Sequence, residues 1–162
     1  RIARNPLARA LRIDKLTLCA LAAVAAAWED RDAAEESVPV ASMLAADPGV
    51  LAQRAARLAQ LIIVELGKAC VDPADVGVSV VDDPSEAGGG SLPTVSIPGV
   101  SVCIKARGVS CDELQRRLRM GHSPVVARVA DGSVRLHLRT IFDRDFGRLA
   151  AATASAIASA HA

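Results

Sequence analysis

The segment from Pro124 to Ile141, PVVARVADGSVRLHLRTI, constrains the fold more than any other part of the chain. Two runs in which apolar and polar residues alternate flank Asp131 and Gly132, a dipeptide preferred in the two-residue turns that join antiparallel strands. Such a turn fixes the register, so Arg128 is expected opposite Arg135 on the same face. The segment therefore predicts a β-hairpin.

The periodicity of the remaining sequence predicts several helices and two further strands. Ser110 followed by Glu113 has the spacing of a capping box at a helix start. Strands are expected over 76–82 and 99–106, helices over 6–30, 48–67, 110–121 and from Phe142 onward, and a surface link over 30–40 that leads into a short helical turn over 40–45. This order predicts an α+β fold, with a small antiparallel sheet and helices on one face.

The amino-acid composition of the chain excludes some classes of function. The 162 residues suit one domain, and with 2% aromatic residues and no tyrosine a protein that stacks nucleic-acid bases on aromatic rings is not expected. A net charge of +1 means that any anion must be bound by a local cluster. No cysteine lies in a C-x-x-C pair, so no metal site is predicted and the thiols are expected to be reduced, as in the cytoplasm.

The ends and apolar runs of the chain give three further expectations. The opening RIARNPLARALR is too charged for a signal peptide. No apolar run reaches the roughly 18 residues of a membrane span. The chain has no initiator methionine and its first helix is expected within a few residues, so a piece of a longer protein is expected.

The stretch NPLARALRIDKLTL, residues 5–18, contains a group of basic residues that could bind an anion. Asn5 and Pro6 suit a helix start, but Arg9, Arg12 and Lys15 follow at intervals of three without an acid on the same side. Like charges at this spacing cost a few tenths of a kcal/mol each. Two interpretations remain open. In the first, these basic side chains are solvated or pair with acids elsewhere in the fold. In the second, they form a receptor for a tetrahedral oxyanion at a helix start.

Four stretches together resemble a known family. They are NPLARALRIDKLTL, VPVASMLA, GGGSLPTVSIPGVSV and SPVVARVADGSVRLHLRTIF. In this order they resemble the carboxyl-terminal part of bacterial L-seryl-tRNA(Sec) selenium transferases, also called selenocysteine synthases. The resemblance runs through nearly all of the chain.

This resemblance implies a pyridoxal 5'-phosphate (PLP) enzyme of the aspartate-aminotransferase type, a cytoplasmic homo-oligomer built as a ring of dimers. Such an enzyme converts seryl-tRNA(Sec) to selenocysteinyl-tRNA(Sec) with selenophosphate, and the cofactor supplies the electron sink. It also implies that residues 1–30 form a long helix from a large PLP domain outside the chain, and that residues 31–162 form the C-terminal small domain.

Carried over residue by residue, the resemblance assigns Arg9 and Arg12 to the anionic selenium donor. The family's Schiff-base lysine lies upstream of this motif, and Lys15, Lys68 and Lys105 do not match it. No catalytic or cofactor-binding residue is therefore expected in this chain, which taken alone should be inactive. The alternatives are a related PLP-dependent lyase or transferase acting on an amino sugar or amino acid, and a non-catalytic anion-binding or assembly module.

Two further positions are candidates for the neighbourhood of the active site. Ser91 follows the glycines of 88–90, which form either a turn or a loop that approaches that site. Arg139 ends a basic strip on the hairpin that also contains Arg128, Arg135 and His137. The strip either meets an anionic partner, a neighbouring subunit or the active site, or is a solvated sheet face. His137 stands where the family commonly has an acidic residue and is not expected to act as a base.

Overall fold

A computed structural model describes residues 5–86 and 95–161. The chain divides into two compact units, residues 1–45 and residues 46–162. Over its described residues, 5–45, the first unit contains four helices: α1 (Leu7–Ala10), α2 (Lys15–Ala27), α3 (Arg31–Ser37) and α4 (Pro39–Ala45). None of the helices in the described ranges is long and apolar enough to cross a membrane.

The prediction of one continuous helix over residues 6–30 is wrong. Asp14 has an extended backbone, and its carboxylate accepts hydrogen bonds from the amides of Leu16 and Thr17 at 2.8 and 3.0 Å. A carboxylate bound to the first free amides is a helix cap, so the chain starts a new helix here instead of extending α1.

The prediction of a surface link over residues 30–40 is also wrong, because α3 and the start of α4 occupy this range. Asp30 caps α3 through the amides of Asp32 and Ala33 at 2.9 and 3.3 Å. Arg31 forms an ion pair with Glu35 at 3.0 Å one helical turn later. A cap and a pair of opposite charges at this spacing stabilise a short helix whose charged composition resembles that of a linker.

The second unit contains the sheet. Its strands are β1 (Val76–Asp82), β4 (Val100–Ala106), β6 (Ser133–His137) and β5 (Arg128–Ala130), antiparallel in this order. A separate two-stranded ladder, β2 (Ser85–Glu86) with β3 (Ser96–Ile97), was not expected from the sequence. The β1 bounds agree with the predicted strand, and β4 starts one residue later than predicted.

The predicted hairpin is confirmed. Asp131 and Gly132 have φ values of 48° and 63°, which the mirror-image turn of a two-residue hairpin requires. Arg128 lies opposite Arg135 as expected. However, β6 ends at His137 and a short 3-10 helix covers Leu138–Thr140, so the extension of the strand to Arg139 is wrong.

The α-helices in the described part of this unit are α5 (Pro48–Lys68), α6 (Cys111–Met120) and α7 (Phe146–His161). α5 packs against β1, β4 and α7, and α6 packs against the hairpin and α7. Alternate residues of β4 and β6 face a shared core with these helices, including Val102, Ile104, Val134 and Leu136. The predicted α+β fold, a small antiparallel sheet covered by helices, is confirmed.

The start of α6 confirms half of the predicted capping box. The hydroxyl of Ser110 accepts a hydrogen bond from the amide of Glu113 at 3.2 Å. The Glu113 carboxylate instead accepts hydrogen bonds from Arg116 and Arg117, each at 2.7 Å. These two guanidinium groups, Arg116 first, lower the pKa of Glu113 to about 2.

We expect a proton titration of this glutamate by NMR to give a pKa of about 2. Replacing Arg116 by alanine should raise the pKa of Glu113 toward its ordinary value of 4.5, because the strongest hydrogen bond to the ionised carboxylate is lost. Arg119→Ala is the matched control, since Arg119 contacts Gln115 instead. Equal Glu113 pKa values in the two variants would contradict this prediction.

Candidate functional site

Arg9 and Arg12 lie in different local structures. Arg9 belongs to α1, whereas Arg12 lies in the connection before Asp14, so their placement along a single helix is wrong. The Asn5 side chain accepts a hydrogen bond from the amide of Leu7 at 2.9 Å, as a helix start requires. The helix start that the motif predicts is therefore present, although the helix is short.

Both guanidinium groups are exposed. Within residues 5–86 and 95–161, neither side chain forms an ion pair or a hydrogen bond. Asp14 is the nearest acid in the sequence, but its carboxylate already accepts hydrogen bonds from the amides that it caps and from the Thr17 hydroxyl at 2.6 Å. The hydrogen bond from this hydroxyl lowers the pKa of Asp14. Of the interpretations given above, pairing with other acids is not realised among the described residues. A solvated face and an anion receptor remain.

Of the other two predicted site residues, Ser91 and Arg139, the structure describes only Arg139. Ser91 and the glycines of 88–90 lie outside the described residues. Arg139 is buried, with 7% of its surface exposed. Its guanidinium donates to the carbonyl oxygens of Ala46, at 3.2 Å, and Pro98, and burial lowers the pKa of Arg139. Arg139 therefore ties the start of the α5 region to the segment that enters β4.

The structure brings together a group of polar residues that sequence reasoning did not assemble. We call Asp83, Ser101, Arg128, Arg135 and His137 the Asp83 cluster. Asp83 follows β1, and its side chain is 4% exposed. Its Oδ1 accepts hydrogen bonds from Arg128 and from Arg135, the latter at 2.9 Å, and its Oδ2 accepts one from the Ser101 hydroxyl at 2.6 Å. A single buried carboxylate thus joins β1, β4 and the hairpin.

Electrostatics favour the ionised form of this carboxylate. Burial by itself would raise the pKa of Asp83, but the hydrogen bonds from Ser101 and the two arginines outweigh it, and the pKa lies below its ordinary value. Arg135 is 13% exposed at its side chain and also binds Asp131. Of the arginines predicted on the hairpin, Arg128 and Arg135 are therefore paired with acids of the same unit.

His137 completes the cluster through a backbone contact. Its Nε2 lies 2.9 Å from the carbonyl oxygen of Asp83, and because a carbonyl only accepts, this nitrogen donates. The Asp83 amide donates to the carbonyl of Gly99 at 2.8 Å. A Cβ atom added at Gly99 would lie 2.5 Å from His137 Nε2 and 2.7 Å from the Asp83 carbonyl oxygen. Close packing at this point therefore requires glycine.

We expect Gly99→Ala to lower the free energy of unfolding by about 2 kcal/mol, because the added methyl group must displace the imidazole or a backbone carbonyl. Urea denaturation followed by circular dichroism measures the change. Gly67→Ala is the matched control, since nothing lies within 4 Å of a Cβ at that helical position and alanine favours a helix. A Gly99→Ala variant as stable as this control would contradict the prediction.

A cleft of about 560 Å³ lies between α6 and α7, and Arg116, Arg117 and Arg148 line it. The first two share the Glu113 carboxylate, and Arg148 donates to Asp145 at 2.6 Å. An anion would have to compete with these carboxylates. In the described part of the chain, no group of three metal-ligating side chains is placed to hold a metal ion.

Comparison with known proteins identifies the family. A family model described as L-seryl-tRNA selenium transferase matches residues 1–142. The L-seryl-tRNA(Sec) selenium transferase of Aquifex aeolicus is 37% identical over 145 residues, which are 90% of this chain and 30% of that protein. The enzyme of the same name from Nitratidesulfovibrio vulgaris is 40% identical over 157 residues, 97% of this chain and 32% of that protein.

The chain spans about 30% of the length of the curated relatives that it matches. A third relative of the same name, from Clostridium botulinum, is 33% identical over 143 residues, 88% of this chain and 29% of that protein. The similarity thus covers nearly the whole chain in each comparison. The resemblance seen in the four sequence motifs is confirmed, and the chain belongs to the L-seryl-tRNA selenium transferase family.

Proposed function

We propose that this chain is the carboxyl-terminal portion of a transferase that converts seryl-tRNA(Sec) to selenocysteinyl-tRNA(Sec) with selenophosphate. The observation that carries this proposal is the family match over residues 1–142, together with relatives that all bear the selenium transferase name. In this proposal the transferase is a cytoplasmic homo-oligomer. Residues 1–30 connect a large PLP-binding domain to the small domain of residues 31–162.

Arg9 and Arg12 bind the anionic selenium donor in this proposal. Support comes from their exposure and from the absence of a carboxylate partner within the described ranges. Two guanidinium groups can bind a tetrahedral oxyanion through several charge-assisted hydrogen bonds. The end of α1 separates the two arginines and leaves the Arg12 backbone outside a helix, so helical spacing does not set the distance between the two side chains.

The cofactor does not fit the residues present in this chain. PLP requires a lysine in an enclosed site, but Lys15, Lys68 and Lys105 are all exposed. Lys68 pairs with Glu65 at 2.7 Å, and Lys15 is the first residue of α2. We therefore assign PLP to a domain outside these residues, derive no step through it, and propose that the chain by itself is inactive.

The test compares the full-length transferase that contains this chain with the 162-residue chain alone. The full-length protein should show the visible absorbance of bound PLP and form selenocysteinyl-tRNA from seryl-tRNA and selenophosphate. The chain alone should show neither. A stoichiometric PLP adduct on one lysine of the isolated chain, trapped by borohydride and located by mass spectrometry, would contradict the proposal.

A further inference from the structure

Helix α2 is apolar on all sides after its first turn, which contains Lys15 and Thr17. From Leu16 to Trp28 no residue carries a charge, and no residue of α2 is buried. The large apolar side chains of this stretch are between 45% and 83% exposed: Leu16, Leu18, Leu21, Val24 and Trp28. A helix that is apolar all round belongs in the interior of a folded protein, and the first unit by itself leaves α2 exposed.

The clustering of these side chains is as informative as their exposure. Single exposed apolar residues such as Val126 are normal on a protein surface and require no partner. From Leu18 to Trp28, every residue is apolar, and a contiguous apolar patch of this kind marks an interaction surface. The alanines between them allow a partner to approach the helix backbone closely.

We propose that α2 is the surface on which the large PLP-binding domain of the transferase docks. This inference rests on the proposed function and adds the contact surface between the two parts. Each matched relative has most of its length outside the segment that this chain represents, so the partner is a folded domain of the same enzyme. Because α2 offers no charge after Lys15, the matching surface on that domain is apolar.

Docking at α2 also accounts for the position of Arg9 and Arg12. Arg12 lies two residues and Arg9 five residues before Asp14, the cap of this helix. With α2 held against the PLP-binding domain, the segment that bears these arginines lies at the margin of that domain, where a donor anion must arrive to react. The docking surface and the anion receptor are thus consecutive parts of the sequence.

Two exposed cysteines provide the experiment. Cys19 lies on α2, and Cys70 follows α5 in the second unit. Both thiols are alkylated with iodoacetamide in the isolated chain and in the full-length transferase, and the rates are read by mass spectrometry. We expect Cys19 to react at least tenfold more slowly in the full-length protein than in the isolated chain. Cys70 is the internal control, because its alkylation rate should be the same in the two samples if the reagent and the fold are the same.

Three outcomes would overturn the docking inference. Equal Cys19 rates in the two proteins would show that α2 stays exposed. Protection of Cys19 in the isolated chain that increases with its concentration would identify a second copy as the partner, and protection at every concentration would identify the rest of this chain. The visible absorbance of the full-length protein is recorded in the same samples. Its absence would contradict the proposed function, whereas its presence with a reactive Cys19 contradicts the docking alone.

A pair of variants strengthens the test. Leu21→Glu places a charge in the middle of α2 and should restore Cys19 alkylation in the full-length protein. Val126→Glu introduces the same charge at an exposed apolar position of the second unit and should leave the Cys19 rate unchanged. If Cys19 is alkylated in both full-length variants as slowly as in the wild type, the inference is wrong. The comparison of unmodified proteins decides the question if Leu21→Glu does not fold.

Discussion

Replacing Asp83 by asparagine is expected to lower the free energy of unfolding of the chain by about 3 kcal/mol. The substitution keeps the size of the side chain but removes its charge. Arg135, which is largely buried, then loses its buried carboxylate and keeps, among the described residues, only Asp131, which is exposed. The loss of the buried partner leaves the charge of Arg135 poorly compensated inside the protein. Asp83 also joins β1 to the hairpin, so the change affects the whole sheet.

Urea denaturation at pH 7, followed by circular dichroism, measures this loss. Asp82→Asn is the matched control, because Asp82 is the adjacent residue, is exposed and forms no ion pair with a described residue. A substitution on an exposed surface of this kind changes stability by less than about 0.5 kcal/mol. If the two variants are equally stable, the Asp83 cluster does not hold the sheet together.

The effect of Asp83 should disappear in acid. Its pKa is lower in the folded chain than its ordinary value of 3.8, so the unfolded chain binds a proton more readily. The stabilisation is fully present above pH 3.8, the ordinary value, and is lost as the pH falls through the folded pKa. The difference in stability between the wild type and Asp83→Asn should therefore decrease as the pH is lowered below that value.

Local sequence patterns predicted much of the second unit. The Asp131–Gly132 turn fixed the hairpin because only this short connection matches the twist of the two strands. The alternation over 76–82 gave β1 with the observed bounds, since one face of that strand packs on the core. For α5, apolar residues at helical spacing lie on the buried face, as Leu51, Leu58 and Ile62 show. In each case, residues that are close in sequence determine the structure.

Competing local interactions explain the errors in the first unit. The apolar residues of 6–30 suggest one helix, but the capping carboxylate of Asp14 stabilises a new helix start more than the chain gains by continuing α1. Asp30 has the same effect before α3. The sequence contains this signal, since aspartate is a preferred cap, but apolar spacing alone does not show which aspartates act as caps.

The Asp83 cluster could not be predicted, because its contacts are distant in sequence. Asp83 is 45 residues from Arg128 and 52 from Arg135, and it stands next to a proline at the start of a glycine-rich segment that suggests a loop. Without the sheet order, the arginines of the hairpin look like an unneutralised basic strip. Only the sheet order shows that the carboxylate following the edge strand β1 lies close to the hairpin arginines. The sequence alone does not contain this information.

For the proposed anion site, the sequence singles out Arg9 and Arg12 but does not show their geometry, and the site itself stays a prediction. Arg9 and Arg12 stand out because no acid lies at helical spacing from either, and their exposure agrees with that pattern. The break between α1 and α2 shows that the separation of the two side chains is set by a non-helical connection rather than by helical spacing. A donor anion therefore has to order the two guanidinium groups, or a neighbouring domain has to do so.

Replacing Arg9 or Arg12 by alanine in the full-length transferase is expected to weaken the binding of selenophosphate about tenfold, and replacing both about a hundredfold, as the loss of one or two charge-assisted hydrogen bonds predicts. The measurement is the KM for the donor, with the KM for seryl-tRNA as the internal comparison. Thermal stability should not change, because neither side chain has an ion-pair partner among the described residues.

Arg31→Ala is the matched control, since Arg31 is an exposed arginine of the same unit that pairs only with Glu35 in the described ranges. It should leave both KM values unchanged. A double variant Arg9→Ala, Arg12→Ala with the donor KM of this control would remove the anion-binding role. A rise in the KM for seryl-tRNA alone would assign the two arginines to the nucleic acid instead. Because both substrates are anions, only the selective change in the donor KM supports a receptor for the selenium donor.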